Sequence, residues 1–335
     1  MDIEKHILNL AKNANGKIIF PESFDIRVLK AAQMLTKDAI ASVVLPTKNI
    51  DKIKEIALAS NIDLNGIEII EIDRSIFDKN KIEEFIYARS QKGISKQDAL
   101  DLLDEPLYFS MMYLKNKKCN ACVGGVVYNT ATVLRAAIHV IGTIEGIKLI
   151  SSYFLMIPPK YHPVAKDPVM FADCAVNPDP QSLGLKDIAI STVMNFKKLF
   201  PNKQANVAML SFSTKGSSNS SVLLKITEAV KVIKEHFKGC NDVNIDGEFQ
   251  FDTSVVPSVG KIKAPDSLVA GNANIFIFPD LNSGNIGYKI AERYGGFQAL
   301  GPIIQGLALP VSDLSRGSSA HDIYLISAIM LLTHV

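Results

Sequence analysis

The densest cluster of residues able to do chemistry is Pro310-Val-Ser-Asp-Leu-Ser-Arg-Gly-Ser-Ser-Ala-His-Asp322, set between an apolar, strand-like run ending at Leu309 and the apolar segment Ile323–Leu332. Alternating α/β proteins place their sites in such polar stretches, where a strand hands over to a helix. Arg316 and the N–H groups of a starting helix would together attract an anion or a developing oxyanion, and Ser315 adds a neutral donor beside that charge. Asp322 has two readings. With Ser319 three positions earlier it resembles a capping box with Asp in the Glu position, and that structural reading stands beside a functional one in this polar loop. His321 adjoins it, but neighbouring helical positions point about 100° apart, so a His–Asp relay from this pair is poorly placed.

Two further segments invite anions. Asn282-Ser-Gly-Asn-Ile-Gly287 follows a buried strand and opens a helix, so the N–H groups around Gly284 and Asn285 suit phosphate, although a tight turn is equally natural there. Tyr288 and Lys289 lie one turn further on; Lys289 is in reach of an anion, or simply solvated. Asn129 and Thr130 stand where a helix bearing Arg135 begins, a place that capping alone explains. The Ser213–Ser221 turn is only superficially like a phosphate loop, and capping of the next helix accounts for it. Cys119-x-x-Cys122 has no second pair at zinc-ribbon spacing and enters an apolar strand, and Cys174 lies in another; both read as core. No glycine-rich dinucleotide fingerprint, P-loop or Gly-x-Ser-x-Gly elbow occurs, which weighs against NAD enzymes, P-loop NTPases and ordinary serine hydrolases.

The elements that must position these residues alternate. Lys17–Phe20, Ala41–Leu45, Ile67–Ile72 and Cys122–Val127 read as strands, and 26–35, 51–59, 81–91 and 130–141 carry helical periodicity, the pattern of a parallel sheet with crossover helices. After Gly146 a second series begins, with strands at Leu149–Ile157, Val169–Val176, Val207–Leu210 and Ala273–Phe278. It includes a helix whose Val222, Leu223, Ile226, Val230, Ile233 and Phe237 form one apolar face, and another from about Asn285 to Tyr294. The last helix, from about Ser319, is apolar nearly all round and must be covered. The expectation is therefore an α/β protein of two α/β/α domains with mostly parallel sheets and an active-site cleft between them: 1–147 plus 303–335, completed by the C-terminal helix, and 148–302.

Bulk properties agree with a soluble globular protein. The 335 residues exceed one ordinary core. A hydrophobic content of 47% with 21% charged residues suits a folded interior. A net charge of +2 with no long run of like charge gives no general affinity for nucleic acid. Four cysteines and no signal-like start point to the cytoplasm, and no apolar run reaches the roughly 18 residues a membrane span needs.

The sequence resembles the phosphotransacetylase (phosphate acetyltransferase) family, in which a Ser-Arg-Gly loop is followed by an Asp early in the next helix, as Ser315-Arg316-Gly317 and Asp322 are here. Other motifs agree in order: Phe171-Ala-Asp-Cys-Ala-Val-Asn-Pro178, Ala208-Met-Leu-Ser-Phe-Ser-Thr-Lys-Gly216, Asp246-Gly-Glu-Phe-Gln-Phe-Asp252, Lys263-Ala-Pro265, Phe278-Pro-Asp-Leu-Asn-Ser-Gly-Asn-Ile-Gly-Tyr-Lys289 and Gly301-Pro-Ile-Ile-Gln-Gly-Leu307. The resemblance implies a homodimeric acyltransferase moving acetyl between coenzyme A and phosphate, with no metal, permanently bound cofactor or covalent acyl-enzyme. Its partners would be coenzyme A, acetyl-CoA, acetyl phosphate and phosphate. It casts Asp322 as base for the thiol, Arg316 as stabiliser of the acyl oxygen and Ser315 as its neighbour. Arg89 and Arg135 would serve the anionic substrates, and substrate contact is implied for Asn129 and Thr130. Alternatives are propionyl or butyryl transfer, and a catalytically silent coenzyme A or acyl-phosphate binding module. A decarboxylating dehydrogenase is disfavoured by the lack of an aspartate cluster.

An ordinary thiol and an ordinary Asp differ in proton affinity by about 6 kcal/mol, so such a base works only with help from its surroundings. Partial burial raises the carboxylate while Arg316 favours the thiolate, provided Arg316 points at oxyanion or sulfur more than at Asp322. Tyr128, Thr132, Leu309 and Ser318 depart from the residues usual in the family (His, Asp, Lys and Cys), which bears on acyl-chain length and coenzyme affinity rather than on the reaction.

Overall fold

The computed structural model describes residues 2–333, which fall into two compact units, Asp2–Ile144 with the chain from Leu307 on, and Glu145–Gly306. The chain opens with α1 (Ile3–Ala14), β1 (Gly16–Ile19), α2 (Ile26–Lys37), β2 (Ala41–Thr47), α3 (Ile50–Ala59) and β3 (Ile67–Glu71). Helices α4 (Lys79–Ser90), α5 (Lys96–Leu103) and α6 (Pro106–Lys115) follow, then β4 (Ala121–Gly124) and α7 (Thr130–Val140). The other unit contains β5 (Ser151–Ile157), β6 (Val169–Ala172), α8 (Ser182–Leu199), β7 (Ala205–Leu210), α9 (Leu224–His236), β8 (Val243–Phe249), α10 (Phe251–Val255), α11 (Pro257–Lys263), β9 (Ile275–Ile277), α12 (Leu281–Arg293) and β10 (Gln298–Gln305). The chain then returns to the first unit with β11 (Val311–Asp313) and α13 (Ala320–Leu332).

The first unit is an all-parallel sheet in the order β11-β4-β1-β2-β3. Such a sheet is buried on both faces, so the middles of its central strands are apolar runs, as Ile18, Ile19, Val43, Val44 and Leu45 are. Helix α13 packs against α1, α2 and the strands β1, β4 and β11, which explains why it carries no polar face. The second unit orders its strands β10-β5-β6-β9-β7-β8, antiparallel across β10-β5-β6 and parallel from β6 to β8. Both sheets fit the mixed α/β class with mostly parallel strands. No helix of the described residues is long and apolar enough to cross a membrane.

Several expected elements move. β4 stops at Gly124 because Gly125, at φ 106, turns the chain sharply, so 125–127 is not strand. α12 begins at Leu281 with Asp280 accepting from the Ser283 N–H, so the glycines expected in a turn lie inside the helix. The polar stretch from Pro310 begins as a buried strand, and the run expected to reach Leu309 ends as β10 at Gln305. The Ser213–Ser221 turn does not cap α9, which has no side-chain cap. Instead Glu248 accepts from the Ser213 hydroxyl at 3.1 Å and the Gly216 N–H at 2.7 Å.

One polar network lies inside the second unit. Gln305, 3% exposed, donates to the Ser151 hydroxyl at 3.0 Å and to Thr192 at 2.9 Å, and accepts from Asn195 at 3.2 Å. Replacing it by Ala strands the buried Ser151 hydroxyl and takes one bond each from Thr192 and Asn195, which keep the Ile188 and Ser191 carbonyls. The expected cost of Gln305→Ala is about 2–4 kcal/mol. In urea titrations the midpoint should fall with the slope unchanged; an unaltered midpoint contradicts the network's role.

Candidate functional site

The carboxyl edge of the first unit's sheet carries Asn129, Thr130 and the segment from Ser315 to Asp322. Helix α7 opens at the cap residue Asn129, whose side chain accepts from the Thr132 N–H at 2.9 Å and the Thr132 hydroxyl at 3.0 Å. Capping, the plain reading of Asn129, is thus realised, and Thr130 stands exposed at the first helical position.

The turn before α7 is held by Glu22, just beyond β1. Glu22 is 7% exposed, and its Oε2 accepts from the N–H groups of Gly125 and Val126 at 2.9 Å each. Its Oε1 accepts from Val127 at 2.6 Å and Tyr128 at 2.7 Å. Burial and the charge of Glu22 push the Tyr128 phenol up to about 12.

Across β4, Asp313 ends β11 opposite Gly124. It is 1% exposed, and neither oxygen has a hydrogen-bond partner; the Thr130 hydroxyl lies beside it without reaching hydrogen-bond geometry. Burial pushes its carboxyl up to about 6; Thr130 opposes the rise and the Glu22 charge adds to it. Sequence reasoning passed over Asp313 because it was read as part of a polar loop. Its signal was a lone acid following Val-Ser at the edge of an apolar strand.

The Ser-Arg-Gly loop follows directly. Ser315, Arg316 and Gly317 are exposed, while Ser318 is buried. Arg27, paired with Asp25, donates to the carbonyl oxygens of Arg316 at 2.6 Å, Ser318 at 3.2 Å and Val126 at 3.1 Å, tying this loop to the one before α7. The capping box at the start of α13 is complete: Ser319 accepts from the Asp322 N–H at 3.1 Å, and Asp322 Oδ2 accepts from the Ser319 N–H at 2.9 Å and hydroxyl at 2.8 Å. Among the described residues Asp322 Oδ1 takes no hydrogen bond, and no ion pair joins Asp322 to Arg316. His321 turns to Glu4 at 3.3 Å, away from any relay with Asp322.

Arg89 and Arg135 act on one neighbourhood. Arg89, in the last turn of α4, is 9% exposed with an unpartnered Nε, and its guanidinium lies 5.9 Å from the Phe85 ring. Burial and then the charges of Arg89 and Arg135 hold His139 below its ordinary range. Its Nδ1 lies 3.0 Å from the Tyr108 hydroxyl. Two arginines against a neutral Tyr–His pair leave an excess of positive charge suited to an anion.

The remaining candidates belong to the other unit and have packing roles. A Cβ on Gly284 would stand 2.2 Å from the Asp173 carbonyl oxygen, so only glycine lets α12 approach there. Asn285 donates to the Cys174 carbonyl at 3.0 Å, and Tyr288 stacks on Phe154 with centroids 4.1 Å apart. Lys289 is exposed, 5.9 Å from the Tyr288 ring. This unit also has an apolar cavity of about 1030 Å³ lined by Phe171, Phe212, Phe251, Phe276, Phe278 and Phe297. Its only lining carboxylate, Asp167, is paired with Lys203 at 2.9 Å, and the Nδ1 of its lining His162 accepts from the N–H groups of Val164 at 3.2 Å and Ala165 at 2.8 Å. Cys119, Cys122 and Cys174 are buried, with their thiols pushed up by burial.

The chain is similar to known proteins along nearly its whole length. The family described as "Phosphate acetyl/butaryl transferase" matches residues 2–331. The chain is 40% identical to the phosphate acetyltransferase of Clostridium acetobutylicum over 332 residues, covering 99% of this chain and 98% of that protein. It is 41% identical to the phosphate acetyltransferase of Bacillus subtilis, covering 93% of each. Among solved structures it resembles a phosphotransacetylase from Streptococcus pyogenes with a TM-score of 0.89 at 38% identity, covering 98% of this chain and 97% of that one. A branched-chain phosphotransacylase from Enterococcus faecalis shares the fold, with a TM-score of 0.66 at 16% identity over 95% of this chain and 99% of that one.

Asp313 gives this site a pH signature. Its folded value of about 6 lies above that of an ordinary Asp, so the neutral acid favours the fold. That contribution is whole below about pH 4 and is lost as pH rises through 6, on the order of 2–3 kcal/mol. Asp313→Asn, neutral throughout, is expected to gain stability relative to the native chain between pH 4 and 7 in thermal unfolding. Parallel pH profiles would contradict the assignment.

Proposed function

The chain belongs to the phosphate acetyl/butaryl transferase family, and from that premise we propose that it moves an acetyl group between coenzyme A and phosphate by direct transfer in a ternary complex. The observation that carries this reading is the Ser315-Arg316-Gly317 loop joined to the complete Asp322 capping box at the carboxyl edge of a parallel sheet.

In the direction of thioester synthesis, the coenzyme sulfur attacks the acetyl carbonyl carbon of acetyl phosphate, and its proton passes to Asp322. A C–S bond forms, the C–O bond to phosphate breaks, and the bonding pair leaves on the phosphate oxygen, which takes a proton back. Arg316 and Ser315 donate to the carbonyl oxygen as it becomes negative. Asp322 fits the base role because only Oδ2 is used by the cap, and the cap fixes the orientation of the carboxylate. Arg89 and Arg135, with Asn129 and Thr130, receive the anionic groups of the substrates. For Gly284, Asn285, Tyr288 and Lys289, substrate contact rests on the expectation of an anion site where a helix starts, and their packing roles stand beside it.

Acetyl is favoured over propionyl or butyryl because the relatives at about 40% identity are phosphate acetyltransferases, whereas the branched-chain enzyme shares 16%. A cytoplasmic location goes with a free-thiol substrate, which persists in a reducing compartment. The homodimer implied by the family is part of the same reading, and light scattering after gel filtration returning a single-chain mass removes it.

Thiol release from acetyl-CoA, followed with and without phosphate, tests the reaction. The native chain is expected to release thiol only with phosphate. Arg316→Gln should lower kcat about 10²–10³-fold, and Asp322→Asn about 10²–10⁴-fold. Full phosphate-dependent turnover in a folded Asp322→Asn removes the proposed base; phosphate-independent hydrolysis or no release by the native chain removes the reaction.

A further inference from the structure

The turn that opens α7 is built as an anion cradle, and the protein fills it with its own carboxylate. Four successive N–H groups, Gly125 to Tyr128, converge on Glu22 at 2.6–2.9 Å, two on each oxygen. Converging main-chain donors of this kind hold phosphate in other proteins. The cradle is fixed from beneath: Leu314 donates to the Gly124 carbonyl at 2.7 Å. A Cβ on Gly125 would meet Asp313 Oδ1 and the Leu314 nitrogen at 2.5 Å each. Its outer side is held by Arg27 on the Val126 carbonyl. The next residues are Asn129 and Thr130, with Arg135 further along the same helix.

We propose that Glu22 is a positioning residue for the anionic substrate. By occupying the cradle it removes a competing anion site, and it sets the orientation in which Asn129, Thr130 and the start of α7 meet the substrate's charged group. The proposal rests on the reading that these residues and Arg135 contact an anionic substrate of the acyl transfer. Glu22 itself touches backbone only, so its removal acts on binding rather than on the bond-making step.

In Glu22→Gln one oxygen becomes an NH₂ that faces two N–H donors, and the turn must shift. Steady-state kinetics of this variant, varying phosphate and coenzyme A in turn, are expected to raise KM for at least one of them about tenfold, with kcat within about threefold, since losing charge-assisted hydrogen bonds from ground state and transition state alike is a uniform binding loss. In Glu22→Ala, added formate should lower the raised KM again by refilling the cradle, which a merely structural role does not predict. Should Glu22→Gln not fold, Glu22→Asp, whose shorter arm reaches only part of the cradle, is expected to show the same split at smaller size. Unchanged KM values in a folded variant, a fall in kcat alone, or a loss of stability alone overturns the proposal. An inactive native chain strikes the acyl-transfer reading instead, because only then is there no phosphate-dependent turnover to compare.

Discussion

Main-chain N–H groups in the turns that follow strands have no ladder partner, and in this protein buried carboxylates take up several of them. Glu22 collects four N–H groups after β4, 103 to 106 residues away in sequence. Asp173, beyond β6, accepts from the N–H groups of Ser152, Ala175, Val176 and Asn177 at 2.9–3.2 Å. In the turn after β7, Glu248 accepts from one N–H, that of Gly216, and from the Ser213 hydroxyl. Each such bond is charge-assisted, worth about 1.5–3 kcal/mol, and several together are needed to offset the several kcal/mol of burying a carboxylate. The outcome is rigid loops where loops are usually mobile.

The candidate site depends on that rigidity. The turn ahead of Asn129 is gripped by Glu22, the Ser315–Ser318 loop is tied to it through Arg27, and the two therefore keep a fixed spacing within their unit. Asp313 is the exception that the arrangement creates. It sits among the same elements with no donor left for it, beside a negative neighbour, and its carboxyl is accordingly driven toward the neutral form. Asp322 serves two demands with two oxygens, one closing the cap of α13 and one open, so the bland and the catalytic readings of that residue are compatible.

Much of this was legible from residue pattern. The parallel strands and crossover helices of 17–72 stand close to where alternation placed them, because each buries a regular apolar face. Helices α6 and α8 escaped: they are buried on nearly every side, so Leu107–Leu114 and Leu185–Leu199 show no amphipathic stripe. β8 escaped because Asp246 and Glu248, buried and engaged, look like surface acids in sequence. The cluster Ser315, Arg316 and Asp322 was readable as chemistry because its polar residues are consecutive. Glu22, Arg27 and Asp313 were not, since their significance lies in contacts spanning about a hundred residues or more, which no local pattern records.

The central claim is that the turn before α7 is fixed by Glu22, and amide hydrogen exchange tests it most directly. If four N–H groups are held on one carboxylate, the amides of Val126, Val127 and Tyr128 exchange slowly in the native chain, on the scale of the β4 amides, although they belong to no helix or strand. Exchange at the rate of an open loop for those three amides would contradict the account.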